Sequence, residues 1–353
     1  MINVLILVII ALITIILSNF YLNFILKKID FSKKFLNIFL HLIFSFFLFI
    51  FLDNYLFKKF GHGYPSSLNE EVYQRNPSPY DMFSGKPNYK DHNSLGFRGG
   101  EFKNYDRKIQ IAFFGGSTGY NGNPPIINLI KQKLEKDKIS NNVFNFSSVS
   151  SNHNQHLHRL VKFLEFNFDI VIFYGGYNET IQNYLYDPRP GFPFNYWVRN
   201  ELDRLKFFLL KNSSILAEYE KKTGKISNLN SIKKNIDYPS DKWIETVLDN
   251  YEKQISKAKS FTDKIVNKNN CMDSKFFSFY QPISIQKSDP ISRKIIEKSK
   301  MRFKFNEDII DISNLLEEKH FTDSVHITQE GKEIIASEIL SYMIKFINNE
   351  CRK

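Results

Sequence analysis

The sequence predicts a doubly wound α/β domain. In it a central parallel sheet of about five strands lies between two layers of helices, and an N-terminal pair of membrane helices precedes it. Three observations predict this. Two uncharged apolar stretches, 2–26 and 35–52, come first in the chain. From residue 108 onward, short runs of β-branched and aromatic residues alternate with amphipathic stretches of helical period. Small, glycine-rich or polar clusters follow those runs, at the strand ends where open parallel sheets bind their ligands.

The membrane segment is read over 1–59, with helices at about 2–26 and 35–57 joined by a basic loop, 27–34. At about 1.5 Å per residue, ~20 residues cross a bilayer core, and both stretches reach or approach that length. A cleaved signal peptide fits poorly, because no basic residue precedes the first run and no small-x-small site follows it. Lys27, Lys28, Lys33 and Lys34 sit in the short loop, which keeps the hairpin tip in the cytoplasm. Residues from about 60 onward are then expected outside the cytoplasm, on the periplasmic or cell-surface side. The expected bilayer contact is residues 2–57.

Residues 60–107 are rich in Gly, Pro, Asn and Tyr and read as an extended linker that packs on the domain. The domain itself is expected over 108–353. Its strands are QIAFF (110–114), NVFNF (142–146), DIVIFY (169–174), KFFSFY (275–280) and DIIDI (308–312), each short and apolar as a buried parallel strand should be. Helices are expected over 126–136, 156–166, 241–266 and about 330–348, the last opening after Thr328 as N-cap. Residues 185–240 break the rhythm and read as an insertion of the kind that shapes substrate choice on a constant core.

The net charge of +11 points to an anionic partner such as a membrane surface or an acidic glycan, although the lysines form no dense block. Nucleic acid is not an expected partner, since zinc-finger spacing, aromatic-basic RNA motifs and a glycine-rich lysine loop are all missing from the sequence. Cys271 and Cys351, the only two cysteines, exclude a disulfide scaffold and a cysteine metal site. In an oxidising compartment the two could pair, but separation in sequence says nothing of proximity, and two unrelated free thiols are the favoured expectation.

The strand ends carry the polar residues. IAFFGGSTGYNG (111–122) leaves the first strand through Gly115-Gly116 and presents Ser117, which is a helix cap, a phosphate cradle or a nucleophile. Ser150 follows the second strand, Gly175–Glu179 the third, and Asp323 and His326 the last. All converge on one edge of the sheet, as a nucleophile, a base and its orienting group require. Serine is a weak nucleophile until a neutral imidazole takes its proton, and Asp323 stands where it could fix the tautomer of His326. An oxyanion hole would draw on the backbone N–H of Ser117, a backbone N–H near Ser150 and the side-chain amide of Asn178.

GGST at 115–118, the serine-rich turn at 147–151, GGYNE at 175–179 and DSVH at 323–326 resemble the four blocks of the SGNH (GDSL-type) hydrolase superfamily, in order and across residues 108–348. NSLGFRG (93–99) and FYQP (279–282) resemble segments of membrane-anchored bacterial members. The resemblance implies a flavodoxin-like three-layer α/β/α fold. It also implies ester chemistry, either hydrolysis or transfer of acyl groups, O-acetyl among them, on an extracytoplasmic glycan or lipid-linked sugar. In these terms Ser117 is the nucleophile, His326 the base and Asp323 its orienter, with Ser117, Ser150 and Asn178 as the oxyanion hole. No metal and no organic cofactor is implied. The second block departs from the family pattern, with Ser150 aligned where a glycine usually lends its backbone N–H.

Each motif has a bland alternative. GGST alone is more often a turn or cap, and an Asp-His pair before a helix can simply cap it. His153, His156 and His158 have no carboxylate or cysteine at ligand spacing, so a half-exposed helix face is expected of them. Arg98 is either an anion ligand or half of a structural ion pair. The rival from another class is a non-catalytic module of the same fold that binds glycan, or docks on an integral membrane acyltransferase. A nucleotide-binding reading lacks the lysine-bearing glycine loop it needs.

Overall fold

The computed structural model describes residues 31–60, 75–78, 81–103, 108–185, 213, 215–216, 219, 239–265 and 271–351. Two compact units divide the chain: Met1–Asn69 with Arg204–Thr223, and Glu70–Asp203 with Gly224–Lys353. The expected first membrane helix, 2–26, lies outside the described residues, as does most of the expected insertion, 185–240.

In the first unit, helix α1 covers Phe31–Phe60. It starts before the expected position, so Lys33 and Lys34 belong to its first turns and not to a loop. The window Ile38–Tyr55 is long and apolar enough to cross a membrane, and none of it is buried. Phe46, Phe47 and Phe51 are each more than 60% exposed, which water penalises and lipid does not. Asp53, near the end of that window, accepts hydrogen bonds from Ser213 Oγ at 2.9 Å and Ile215 N at 3.0 Å.

The second unit opens with an antiparallel pair, β1 (Arg75–Ser78) and β2 (Met82–Gly85). Its centre is a five-stranded parallel sheet of β3 (Ile109–Gly115), β4 (Asn141–Asn145), β5 (Ile170–Gly175), β6 (Lys275–Tyr280) and β7 (Ile310–Asp311), in the order β4-β3-β5-β6-β7. Successive strand side chains point to opposite faces, and the sequence obeys that period. Ala112 and Phe114 of β3, with Val171 and Phe173 of β5, enter one core, while Ile111 and Phe113, with Ile170 and Ile172, enter the other. Both faces are buried, which is why these strands are continuously apolar.

One core is closed by α4 (His153–Lys162), α6 (Asp241–Thr262) and α7 (Pro290–Phe303), through Leu160, Val247 and Ile295 among others. The other is closed by α3 (Ile126–Lys136) and α8 (Gln329–Glu350), through Ile130, Leu134, Ile335 and Ile339. Two further helices stand at strand ends, α2 (Ser117–Tyr120) after β3 and α5 (Tyr177–Leu185) after β5. Helix α7, absent from the sequence-based expectations, carries an N-terminal signature: Asp289 caps it by accepting from Ile291 N and Ser292 N, with Pro290 at its first position. Residues 93–103 lie on the α4 side, where Phe97 stacks on Phe102 at 5.5 Å and meets Phe146 edge-on at 5.1 Å.

The expectation of two unrelated thiols is overturned: Cys271 and Cys351 form a disulfide. Helix α8 starts beside the carboxyl ends of the strands and, at about 1.5 Å per residue, runs the height of the sheet. It therefore returns Cys351 to the segment entering β6, where Met272 N donates to Glu350 O at 2.9 Å.

Candidate active site

Strand order reverses about β3, so its carboxyl end is the switch point at which open α/β sheets form a ligand crevice. Ser117 stands there as the first residue of α2, nine-tenths buried. Its Oγ lies 2.9 Å from His326 Nε2, and His326 Nδ1 lies 2.6 Å from Asp323 Oδ2. The other carboxylate oxygen of Asp323 accepts from Val325 N at 2.8 Å and His326 N at 2.7 Å. Thr322 N donates to His326 O at 2.8 Å, which closes the loop into a tight turn. One short loop thus fixes both the imidazole and its carboxylate.

Partial burial alone would raise the Asp323 pKa. The backbone N–H groups of His326 and Val325 and the His326 ring outweigh it and hold the carboxyl below its usual range. An ionised carboxylate only accepts, so Nδ1 of His326 donates to it, and a ring with that single proton presents its Nε2 lone pair to Ser117 Oγ.

Asn178 and Ser150 come to the same edge of the sheet by different devices. Asn178, near the start of α5, donates from Nδ2 to Ser151 O at 2.7 Å. A Cβ on Gly116 would fall 2.3 Å from that Nδ2, so the glycine before Ser117 makes room for the amide. Ser150 has φ +58°, in the left-handed region that glycine favours. The loop holds the backbone shape a glycine would adopt, at a cost of about 1–2 kcal/mol for the serine side chain. Ser148 N and Ser151 Oγ both donate to Gly115 O, each at 3.0 Å, and tie this loop to β3.

Several supports stand behind the site, and of these the sequence reading weighed only Arg98, as an anion ligand or half of a structural ion pair. Gln281 Oε1 accepts from Thr118 Oγ1 at 3.1 Å, and Gln281 N donates to Gly175 O at 2.8 Å. Arg98 proves structural: Nη1 donates to Tyr120 O at 2.8 Å and Gly122 O at 2.7 Å, and Nε pairs with Asp91. Those carbonyls end the helix that Ser117 begins. His92 Nε2 lies 2.7 Å from Tyr120 Oη. The NSLGFRG and FYQP resemblances were the sequence signals for these contacts.

The expected half-exposed histidine face is a second correction. Only His158 is exposed; His153 and His156 are fully buried. A carboxylate does reach them, since Glu179 Oε1 lies 3.0 Å from His153 Nδ1. It arrives from α5, a partner that spacing along α4 cannot reveal. Burial, with His153 and Arg159 close by, pushes His156 well below the usual imidazole range and keeps it neutral.

No protein-family model matches the chain, and no curated protein does. Among solved structures it is similar to a lipase from a goat rumen metagenome, with 14% identity over 66% of this chain and 97% of that one, at a TM-score of 0.40. An acetylxylan esterase from Geobacillus stearothermophilus has 14% identity over 67% of this chain and 95% of that one, at 0.39. A carbohydrate acetylesterase from Sinorhizobium meliloti has 10% identity over 67% and 99%, also at 0.39. At such low identity and superposition the likeness does not bear on the chemistry of this chain.

Proposed function

We propose that this chain is a membrane-anchored serine esterase or acyltransferase of SGNH type, acting on acyl groups of an extracytoplasmic glycan or lipid-linked sugar. The observation that carries the proposal is the continuous relay Ser117–His326–Asp323, at 2.9 and 2.6 Å, at the switch point of the sheet. Ser117 Oγ attacks the acyl carbonyl while His326 Nε2 takes its proton. The imidazolium formed is stabilised by Asp323, then returns the proton to the leaving alkoxide. The oxyanion is received by the Ser117 N–H, a backbone N–H of the Ser150 loop and the Asn178 amide, whose second N–H remains after Ser151 O has taken the first. Water or a sugar hydroxyl then resolves the same acyl-enzyme.

Three features support the location and partner. The apolar surface of α1 suits a bilayer. The Cys271–Cys351 disulfide suits an oxidising compartment, where such bonds persist. The net charge of +11 suits an anionic envelope polymer or membrane surface.

The test uses the full chain in detergent with a fluorophosphonate probe and a chromogenic acetyl ester, beside Ser117→Ala and His326→Ala. Labelling and turnover that vanish in both variants are expected. Neither labelling nor turnover, from protein shown to be folded, overturns the proposal in favour of a glycan- or acyltransferase-binding module.

A further inference from the structure

We propose that His153, His156 and Glu179 bind a divalent transition-metal ion of the Zn²⁺ class, at a buried site joined to the Asn178 and Ser150 segments through Ser151. This inference does not depend on the esterase reading.

The donor atoms are already gathered. His153 and His156 stand three apart on α4, hence on one face, and their Nδ1 atoms are 3.1 Å from each other. His153 Nδ1 lies 3.0 Å from Glu179 Oε1, and the three residues offer one ligand atom each within 4.8 Å of one another. Zinc holds imidazole and carboxylate at about 2.0–2.2 Å, so tetrahedral ligands stand roughly 3.3 Å apart. The two closest separations here are already near that value, and two nitrogens with one oxygen suit zinc, copper or nickel better than calcium or magnesium.

The protonation states follow from the partners. Ser151 Oγ has one proton and two carbonyls to give it to, Ser148 O at 2.7 Å and Gly115 O at 3.0 Å. It therefore accepts from His156 Nε2, 2.9 Å away, and Nδ1 of His156 is left as a lone pair pointing at His153. Glu179 is held from behind as well, because its Oε2 accepts from Gly176 N at 2.6 Å. Metal ligands are ordinarily oriented in this way by hydrogen bonds on their far side.

Room for a further small ligand lies beside two of the three residues. A cavity of about 20 Å³ adjoins the cluster, lined by His153, Glu179, Asn250, Tyr251 and Gln254. That is room for one water molecule. His153 Nε2, buried and without a hydrogen-bond partner among the described residues, adds a polar atom to this interior. The other charges nearby are Arg159, buried on the same helix, and Asp81, whose carboxylate lies 3.9 Å from the Arg159 guanidinium. A bound dication would fasten α4 to α5 and so hold together the segments that carry Asn178 and Ser150.

The test measures zinc in the full chain, purified in detergent without chelator, by elemental analysis and by titration of stripped protein with Zn²⁺ and with Co²⁺. One equivalent of zinc and the visible bands of tetrahedral Co²⁺ are expected. Glu179→Gln, which keeps the shape but loses the charge, should weaken binding by more than the ~10–100-fold typical of losing an outer hydrogen-bond partner; Ser151→Ala should fall within that range. Ser117→Ala should bind zinc unchanged. Folded wild-type protein that takes up no zinc, with a thermal midpoint insensitive to Zn²⁺, overturns the proposal and leaves a proton-sharing hydrogen-bond chain. Equal binding by wild type and Glu179→Gln overturns it too, by placing the metal elsewhere.

Discussion

Two of the histidine–carboxylate pairs among the described residues differ in almost everything but their chemistry. His326 and Asp323 share one loop, three residues apart, with side chains 39% and 53% exposed and a 2.6 Å contact. His153 and Glu179 come from two helices, with side chains 1% and 5% exposed and a 3.0 Å contact. The first pair opens toward solvent and touches a serine hydroxyl, as the proposed esterase requires. The second is buried among aromatic rings and the hydrogen-bonding groups of two helices, with a small cavity beside it. Burial, rather than residue type, separates a pair suited to proton transfer from one suited to architecture.

The largest expected effect tests the exposed pair. His326→Ala should lower turnover of an activated ester by roughly 10⁶-fold, and Ser117→Ala combined with it should lower it little further, because the two act as one unit. Comparable full-chain kinetics for His153→Ala, with the protein still folded, would erase the contrast between the pairs.

Next comes the space before the serine. Gly116→Ala should push the Asn178 amide from its place and cost about 10²–10³ in kcat, as loss of one oxyanion donor does, with the thermal midpoint little changed. An unchanged kcat would mean that Asn178 takes no part in turnover.

The disulfide sharpens the comparison from the stability side, since it lies at the opposite edge of the sheet from Ser117. Cys351→Ser should reduce unfolding free energy by about 2–5 kcal/mol in denaturant titrations, yet leave low-temperature turnover intact. Ser150→Gly should act in the other direction. It relieves about 1–2 kcal/mol of left-handed strain and gives back up to ~1 kcal/mol through the freer unfolded chain, for a small net gain.

The smallest effect is in pH. The folded-state pKa of Asp323 is depressed, so its contribution to stability is fully present above the unfolded value of about 3.9 and is lost as pH falls through the folded one. Denaturation midpoints of wild type and Asp323→Asn should therefore converge on acidification below about pH 4. Parallel curves would show that the carboxylate gains nothing from its loop.

Much of this architecture was readable in the chain. The period-two burial of β3, β5 and β6 and the apolar stripes of α3 and α6 follow from local sequence, because strand and helix geometry repeat over a few residues. Asp323 and His326 were legible for the same reason: one turn holds both. Ser117 and its partner histidine are 209 residues apart, and their meeting was inferred only from the rule that parallel strands end at one edge. The boundaries of β7 and α1 were less legible: β7 pairs only at Phe279↔Ile310 and Tyr280↔Asp311, and α1 runs on into its basic flank.

By itself, then, the sequence determined the periodic elements, their alternation and the polar residues at the strand ends, since these are set by near neighbours. Tertiary structure alone decided which distant groups met. It joined Cys351 to Cys271 through the length of α8, brought Glu179 to His153 across two helices, and turned Arg98 onto the carbonyls behind Ser117. Such contacts depend on how layers pack, and packing depends on the whole core at once, which no local spacing encodes.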